Sequence, residues 1–234
     1  MNNWQVDLFT GLGRADTVQD IVDVTAKIIK PIGFEYCGFR LLFPLPLSRP
    51  QLITTYTAED EMYEKERNGG YLETPMSVHC SQSMTPFVWE GTTEDSVFKQ
   101  MPEVFEEYYG YGHRGGWAQS LIEKQNMYSL FYADSSTSMT AAHLERVTLK
   151  MEWVATAVLS RLNQIKHTSG IQLSLREKEV LRWTGDGKTA DQIAEILMLS
   201  PSTINFHLRK AMQKLDAPNK TAAVVRAIFL RLLF

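Results

Sequence analysis

The chain has 234 residues, 44% hydrophobic and 22% charged, which excludes disordered and fibrous classes and suits one domain of about 160 residues with a second of about 65. No apolar run approaches the roughly 18 residues of a membrane span, and "MNNWQVDLFTGLGR" lacks the basic start and apolar stretch of a secretion signal, so a cytoplasmic protein without membrane association is expected. The net charge of −3 is unevenly divided: residues 171–234 hold ten Lys/Arg and six Asp/Glu, a net of +4, leaving −7 on residues 1–170, as expected when only one part of a protein approaches a polyanion.

From the N-terminus, "DTVQDIVDVTAKIIKPIG" opens with Asp16 as a cap and repeats apolar residues at Val18, Ile21, Val22, Val24, Ile28 and Ile29, which predicts an amphipathic helix stopped at Pro31 and Gly33. The aromatic and β-branched runs "FEYCGFRLLF" (34–43) and "QLITTY" (51–56), parted by "PLPLSRP", predict strand, loop and strand. "AEDEMYEKERN" then reads as a short exposed helix ended by Gly69 and Gly70. "TPFVWEG" reads as a short strand, and "EDSVFKQMPEVFEEYYGYG" as a helix bent or restarted at Pro102. "GWAQSLIEK" and "NMYSLFYAD" form an expected antiparallel hairpin, and residues 140–166 carry the longest helical pattern. Five strands flanked by helices predict an α+β fold, an α/β/α sandwich over residues 1–165 with a mainly antiparallel sheet. "KHTSGIQ" (166–172) reads as a linker.

Residues 173–234 predict four helices. Ser174 with Glu177 forms a capping box for the first, Thr189 precedes the second, and Ser200 with Pro201 starts the third. Two short helices joined by a tight turn, the second polar and basic outside, make a helix-turn-helix. On that outer face Asn205, Arg209 and Gln213 repeat every four residues and so point one way. Arg grips guanine O6 and N7 together and Asn grips adenine N6 and N7, so this stripe is a candidate reader of double-stranded DNA. Ser202 and Thr203 sit where a helix N-terminus favours a phosphate, and Lys188, Thr189, His207, Lys210 and Lys214 are expected to contact the backbone.

"REKEVLRWTGDGKT" (176–189), "IAEILMLS" (193–200) and "TINFHLRKAMQKLDAPNKT" (203–221) together resemble the DNA-binding domain of LuxR-type transcription regulators. The resemblance implies a four-helix domain that dimerises through its last helix and binds an inverted-repeat element. The upstream stretches "GFEYCGFRLLFPLPLSRP", "TPFVWEG" and "GYGHRGGWAQSLIEK" resemble the acyl-homoserine-lactone-binding domain of quorum-sensing members of that family. On this resemblance Trp89 and Gly116 match its pocket residues, Tyr36 and Tyr71 fall near its aromatics, and Ser129 falls near a serine facing the ligand. The family's Asp-Pro aligns with Thr74-Pro75. The aspartate implied there accepts the amide N–H of the lactone's acyl chain, and a threonine hydroxyl offers only a weaker, uncharged acceptor. The expected input is therefore a small-molecule autoinducer other than a standard acyl-homoserine lactone, or none.

No other cofactor is expected. Cys37 and Cys80 have no zinc-type spacing and read as buried free thiols, with no metal site. No catalytic group is assigned: His79 and Cys80, adjacent on an expected extended segment, face opposite sides. His113 and Arg114, in a Gly-rich turn, offer an anion site or, the leading reading, solvated surface. The leading expectation is a homodimeric transcription regulator, paired through the 140–166 helix and the last helix. The alternatives are an antiactivator that pairs with another family member and, from another class, a signal-processing enzyme tethered to DNA.

Overall fold

The computed structural model describes residues 3–43, 51–57, 61–122, 128–167, 171–230 and 232–233. The chain forms two compact units, Met1–Ile165 and Lys166–Phe234. The expected loop over 44–50, the start of the expected helix at 58–60, the hairpin turn at 123–127 and residues 168–170 of the expected linker lie outside the described residues.

The first unit opens with α1 (Trp4–Arg14) and α2 (Val18–Ile29). Thr17, not Asp16, caps α2: its hydroxyl accepts from the Asp20 N–H while the Asp20 carboxylate accepts from the Thr17 N–H, and only Thr17 stands three residues before a carboxylate that can reach back. A 3₁₀ turn at Lys30–Ile32 and Gly33 at φ 100° then deliver the chain to β1 (Tyr36–Phe43). There follow β2 (Gln51–Tyr56), α3 (Glu61–Arg67), α4 (Pro75–Gln82), β3 (Phe87–Trp89), α5 (Ser96–Gln100), α6 (Pro102–Gly110), β4 (Gly116–Ile122), β5 (Tyr128–Asp134) and the long α7 (Ala141–His167). The expected break at Pro102 is the restart between α5 and α6.

The strands form one five-stranded sheet in the order β2-β1-β5-β4-β3, each neighbouring pair antiparallel. Side chains alternate across it. One face carries Cys37, Phe39, Leu41, Trp117, Phe131 and Ala133 into a core with Leu8 of α1, Ile21 and Ile29 of α2, and Met151, Val154 and Val158 of α7. The other carries Tyr56, Trp89, Ala118, Leu130 and Tyr132 against Met62 of α3, Met76 and Cys80 of α4, and Phe98 and Phe105 of α5 and α6.

In the second unit, Ser174–Glu177 and Thr189–Gln192 capping boxes start α8 (Leu175–Gly185) and α9 (Ala190–Leu197). Ser200 caps α10 (Pro201–Lys214) and Asn219 caps α11 (Lys220–Phe229). Val180, Leu181, Ile193, Ile204, Leu208, Ala211, Leu215, Ala223 and Ala227 share one core. Between α9 and α10 the turn is closed by Met198 at φ 54°, with the Leu199 N–H returning 2.9 Å to the Ala194 carbonyl, a Schellman arrangement with methionine where glycine costs least.

Candidate functional site

Helix α10 turns inward through Ile204, Leu208 and Ala211, which leaves Asn205, Arg209 and Gln213 exposed in a line on its outer side. Lys188, Thr189 and Lys210 are also exposed, and His207 is half-buried. Ser202 and Thr203 are drawn into the cap, each hydroxyl within 2.8 Å of the Ser200 hydroxyl. Thr189 is itself a cap, its hydroxyl accepting from the Gln192 N–H at 3.3 Å. Lys214 departs most from the expected role of a backbone contact: its ammonium lies 2.8 Å from the Glu177 carboxylate, tying the end of α10 to the cap of α8. Burial alone would raise the Glu177 carboxyl, but Lys214 and the Ser174 N–H outweigh it and hold it below its ordinary value.

In the sensor unit, Tyr36, Tyr71, Thr74, Trp89 and Gly116 gather on the α3–α6 side of the sheet. Trp89 is buried, its indole N–H donates to the Arg114 carbonyl, and its ring lies so close over Gly116 that an added Cβ would stand 2.1 Å from it. Gly116 therefore acts by making room for Trp89. Tyr71 donates 3.0 Å to Glu107 and packs edge-on to Tyr108. Ser129 falls on the opposite face, 3.5 Å from Asn163 of α7. Strand parity sets it apart from the other candidates, because the residues of β5 on the α3–α6 side are Leu130 and, two further on, Tyr132.

What fills this side is a buried polar network. Arg40 and Glu66 are 1% and 3% exposed and pair at 3.1 Å. The remaining guanidinium edge donates to the Ser77 hydroxyl and the Tyr71 carbonyl, and the Tyr132 phenol donates to both Glu66 oxygens at 2.8 Å. Thr74 belongs to the same group: as N-cap of α4 it accepts from the Ser77 N–H at 3.3 Å and donates to the Tyr71 carbonyl at 3.1 Å. Beside it the Tyr56 phenol donates 2.9 Å to Asp134, and His113 Nδ1 lies 2.9 Å from the same carboxylate. The expectation that His113 is solvated surface is corrected here, since it is 2% exposed and its ring sits 4.4 Å from that of Tyr36. Tyr56 and Tyr132 stack at 5.6 Å across Gly38, where an added Cβ would meet both rings at 2.6 Å. Burial, then the adjacent carboxylates, hold both phenols well above their ordinary value, so both stay donors.

The segment around His79 and Cys80 is helix α4, not extended, because Thr74 and Pro75 start a helix there. His79 bonds the Thr85 carbonyl at 2.9 Å, and burial pushes the Cys80 thiol up to about 12, which disfavours the thiolate. Among the described residues no group of His, Cys, Asp and Glu is placed to hold a metal, and no helix is long and apolar enough to cross a membrane. A groove of about 640 Å³ between α1 and α7, lined by Phe9, Leu12, Trp153, Ala157 and Arg161, lies on the α7 side, away from the gathered candidates.

The model for bacterial regulatory proteins of the luxR family matches residues 171–227, and that for the autoinducer-binding domain matches residues 17–162. The chain belongs to the LuxR family. Like other LuxR-type quorum-sensing regulators it joins an autoinducer-binding domain to a DNA-binding helix-turn-helix. The transcriptional activator protein AnoR of Acinetobacter nosocomialis is 30% identical over 242 aligned residues, covering 100% of both chains. A crystal structure of Escherichia coli SdiA has the same fold, with a TM-score of 0.81 at 24% identity over 99% of this chain and 98% of that one. SdiA in complex with octanoyl-rac-glycerol aligns with a TM-score of 0.77 at 23% identity over 97% and 93%.

Arg40, Glu66, Tyr56, Tyr132 and Asp134 are not among the site residues that the sequence marks. Arg40 offered a signal, a charge inside the apolar strand "YCGFRLLF" that burial obliges to find a partner. The partner, 26 residues on, had no local mark.

Proposed function

We propose that this LuxR-type regulator binds an inverted-repeat DNA site as a homodimer and reaches its DNA-competent fold without a standard acyl-homoserine lactone. The observation that carries the second half is the state of Thr74. Where the family's carboxylate is expected, this hydroxyl is closed into the α4 cap. The charged groups nearby are matched to one another, Arg40 to Glu66. A lactone amide would have to compete with these bonds instead of meeting an open acceptor.

For the dimer, α7 carries Leu149 and Trp153 at 75% and 53% exposure, with Phe9 of α1 against Trp153 at 6.1 Å. A second copy laid on this apolar strip would bring two α10 helices to one duplex, and a two-fold dimer calls for a two-fold operator. The DNA-facing residues in this reading are Asn205, Arg209 and Gln213 toward bases, with Lys188, Lys210 and His207 toward phosphates.

Expression in a host that makes no lactone tests the proposal. Soluble, dimeric protein that binds DNA is the expected result; aggregated protein rescued only by added lactone would overturn it. A second reading, an acyl compound without a lactone ring as the signal, draws on the SdiA complex with octanoyl-rac-glycerol. Stabilisation of this chain by octanoyl-rac-glycerol but not by a lactone of equal acyl length would select it.

A further inference from the structure

Helix α10 places one apolar side chain where its neighbours are polar. Phe206 is 49% exposed and, of the large exposed apolar residues in this unit, the one on α10 among the described residues. It lies two positions after buried Ile204 and two before buried Leu208, which at 3.6 residues per turn points it directly away from the core. One turn back is Ser202, and one turn ahead are Arg209 and Lys210, all exposed. The ring has no core role in this position. It rests edge-on to His207, with centroids 5.5 Å apart, which restrains it.

We propose that Phe206 is a specificity-determining residue that packs on the 5-methyl group of a thymine in the major groove. That methyl is the apolar mark a base pair shows there; cytosine lacks it, and Phe is among the side chains shaped to meet it. The polar members of the stripe supply hydrogen bonds, and Phe206, between Ser202 and Arg209, supplies the one contact that hydrogen bonds cannot. The proposal rests on α10 being the DNA-reading helix.

The test starts from full-length protein and a randomised pool of duplex DNA, from which the bound site is selected. Each thymine of the selected half-site is then replaced singly by deoxyuridine, which removes only the methyl. The expected result is one thymine, within a base step of the pair read by Arg209, whose replacement weakens wild-type binding about three- to tenfold. The Phe206→Ala variant should bind the thymine and uracil sites within about twofold of each other, and Phe206→Leu should keep part of the preference. Phe206→Ala should leave the salt dependence of binding unchanged, since no phosphate contact is lost. Equal discrimination by wild type and Phe206→Ala, or no thymine sensitive to loss of its methyl, would overturn the proposal while leaving α10 as the reader. Failure of the wild type to enrich any sequence would overturn both.

Discussion

The two units direct their charged and polar side chains in opposite ways. Helix α10 turns Asn205, Arg209, Gln213 and Lys210 out to solvent, where a partner can reach them. The sensor turns Arg40, Glu66, His113 and Asp134 inward and closes them on one another. An exposed polar stripe is an offer to an external ligand, whereas a buried network is stable because its members are satisfied from within. The difference teaches that the same kinds of side chain serve two ends in one chain, held out for a partner in the helix-turn-helix and satisfied internally in the sensor.

The largest expected effect comes from opening that pair. Glu66→Ala leaves Arg40 charged and unpaired in the core and should cost about 3–5 kcal/mol in urea unfolding of the full chain. The double variant Arg40→Met/Glu66→Leu should recover most of that loss, and a Glu66→Ala cost below about 1 kcal/mol would show the network to be incidental. On the output side, Arg209→Ala should weaken binding to the selected site by about 1–3 kcal/mol and relax one base preference, while Lys210→Ala should lower affinity on all sequences and flatten the salt slope. Equal losses on selected and random DNA for Arg209→Ala would remove it as a reader.

A smaller effect attaches to Glu177, a buried carboxylate of the DNA-binding unit. Its folded value lies below the ordinary 4.5, so its contribution is present above that pH and is lost as pH falls through the lower folded value. Unfolding of the wild type should therefore ease in acid below 4.5, and Glu177→Gln should flatten this dependence. Lys214→Ala should weaken the same tie by under about 1 kcal/mol, with little change in salt slope if the lysine serves Glu177 and not a phosphate. The smallest change is Met198→Gly, which relieves a left-handed residue at the turn and should stabilise the unit by about 0.5 kcal/mol, the relief being partly offset by glycine's greater flexibility when unfolded.

The sequence was most legible where its signals are local. Ser200, Pro201 and the four-residue repeat of Asn205, Arg209 and Gln213 lie within one helix, and the capping boxes at Ser174 and Thr189 span three residues each. The antiparallel sheet followed from strand-like runs and the turns between them. Helix α1 has a weak sequence signal because Gly11 and Gly13 dilute its pattern, and the start of α4 is masked because Thr74-Pro75, its cap and first residue, also falls where the family's Asp-Pro aligns. The buried networks were not legible, since Tyr56, His113 and Asp134 meet only after β2 and β5 flank β1 and the turn before β4 folds back. Ser129 shows how narrow the margin is: one step along β5 exchanges the α3–α6 side for the α7 side.

The central claim, a DNA-competent regulator whose sensor core is closed by its own side chains, is met most directly by thermal unfolding of purified protein, made without lactone, against rising N-octanoyl-homoserine lactone. A ligand that binds only the folded state at a hundred times its Kd stabilises by about 2.7 kcal/mol, which shifts the midpoint by several degrees. The account predicts a cooperative transition in the unliganded protein and a midpoint that does not move with lactone concentration; a midpoint that climbs with concentration along the binding curve would contradict it.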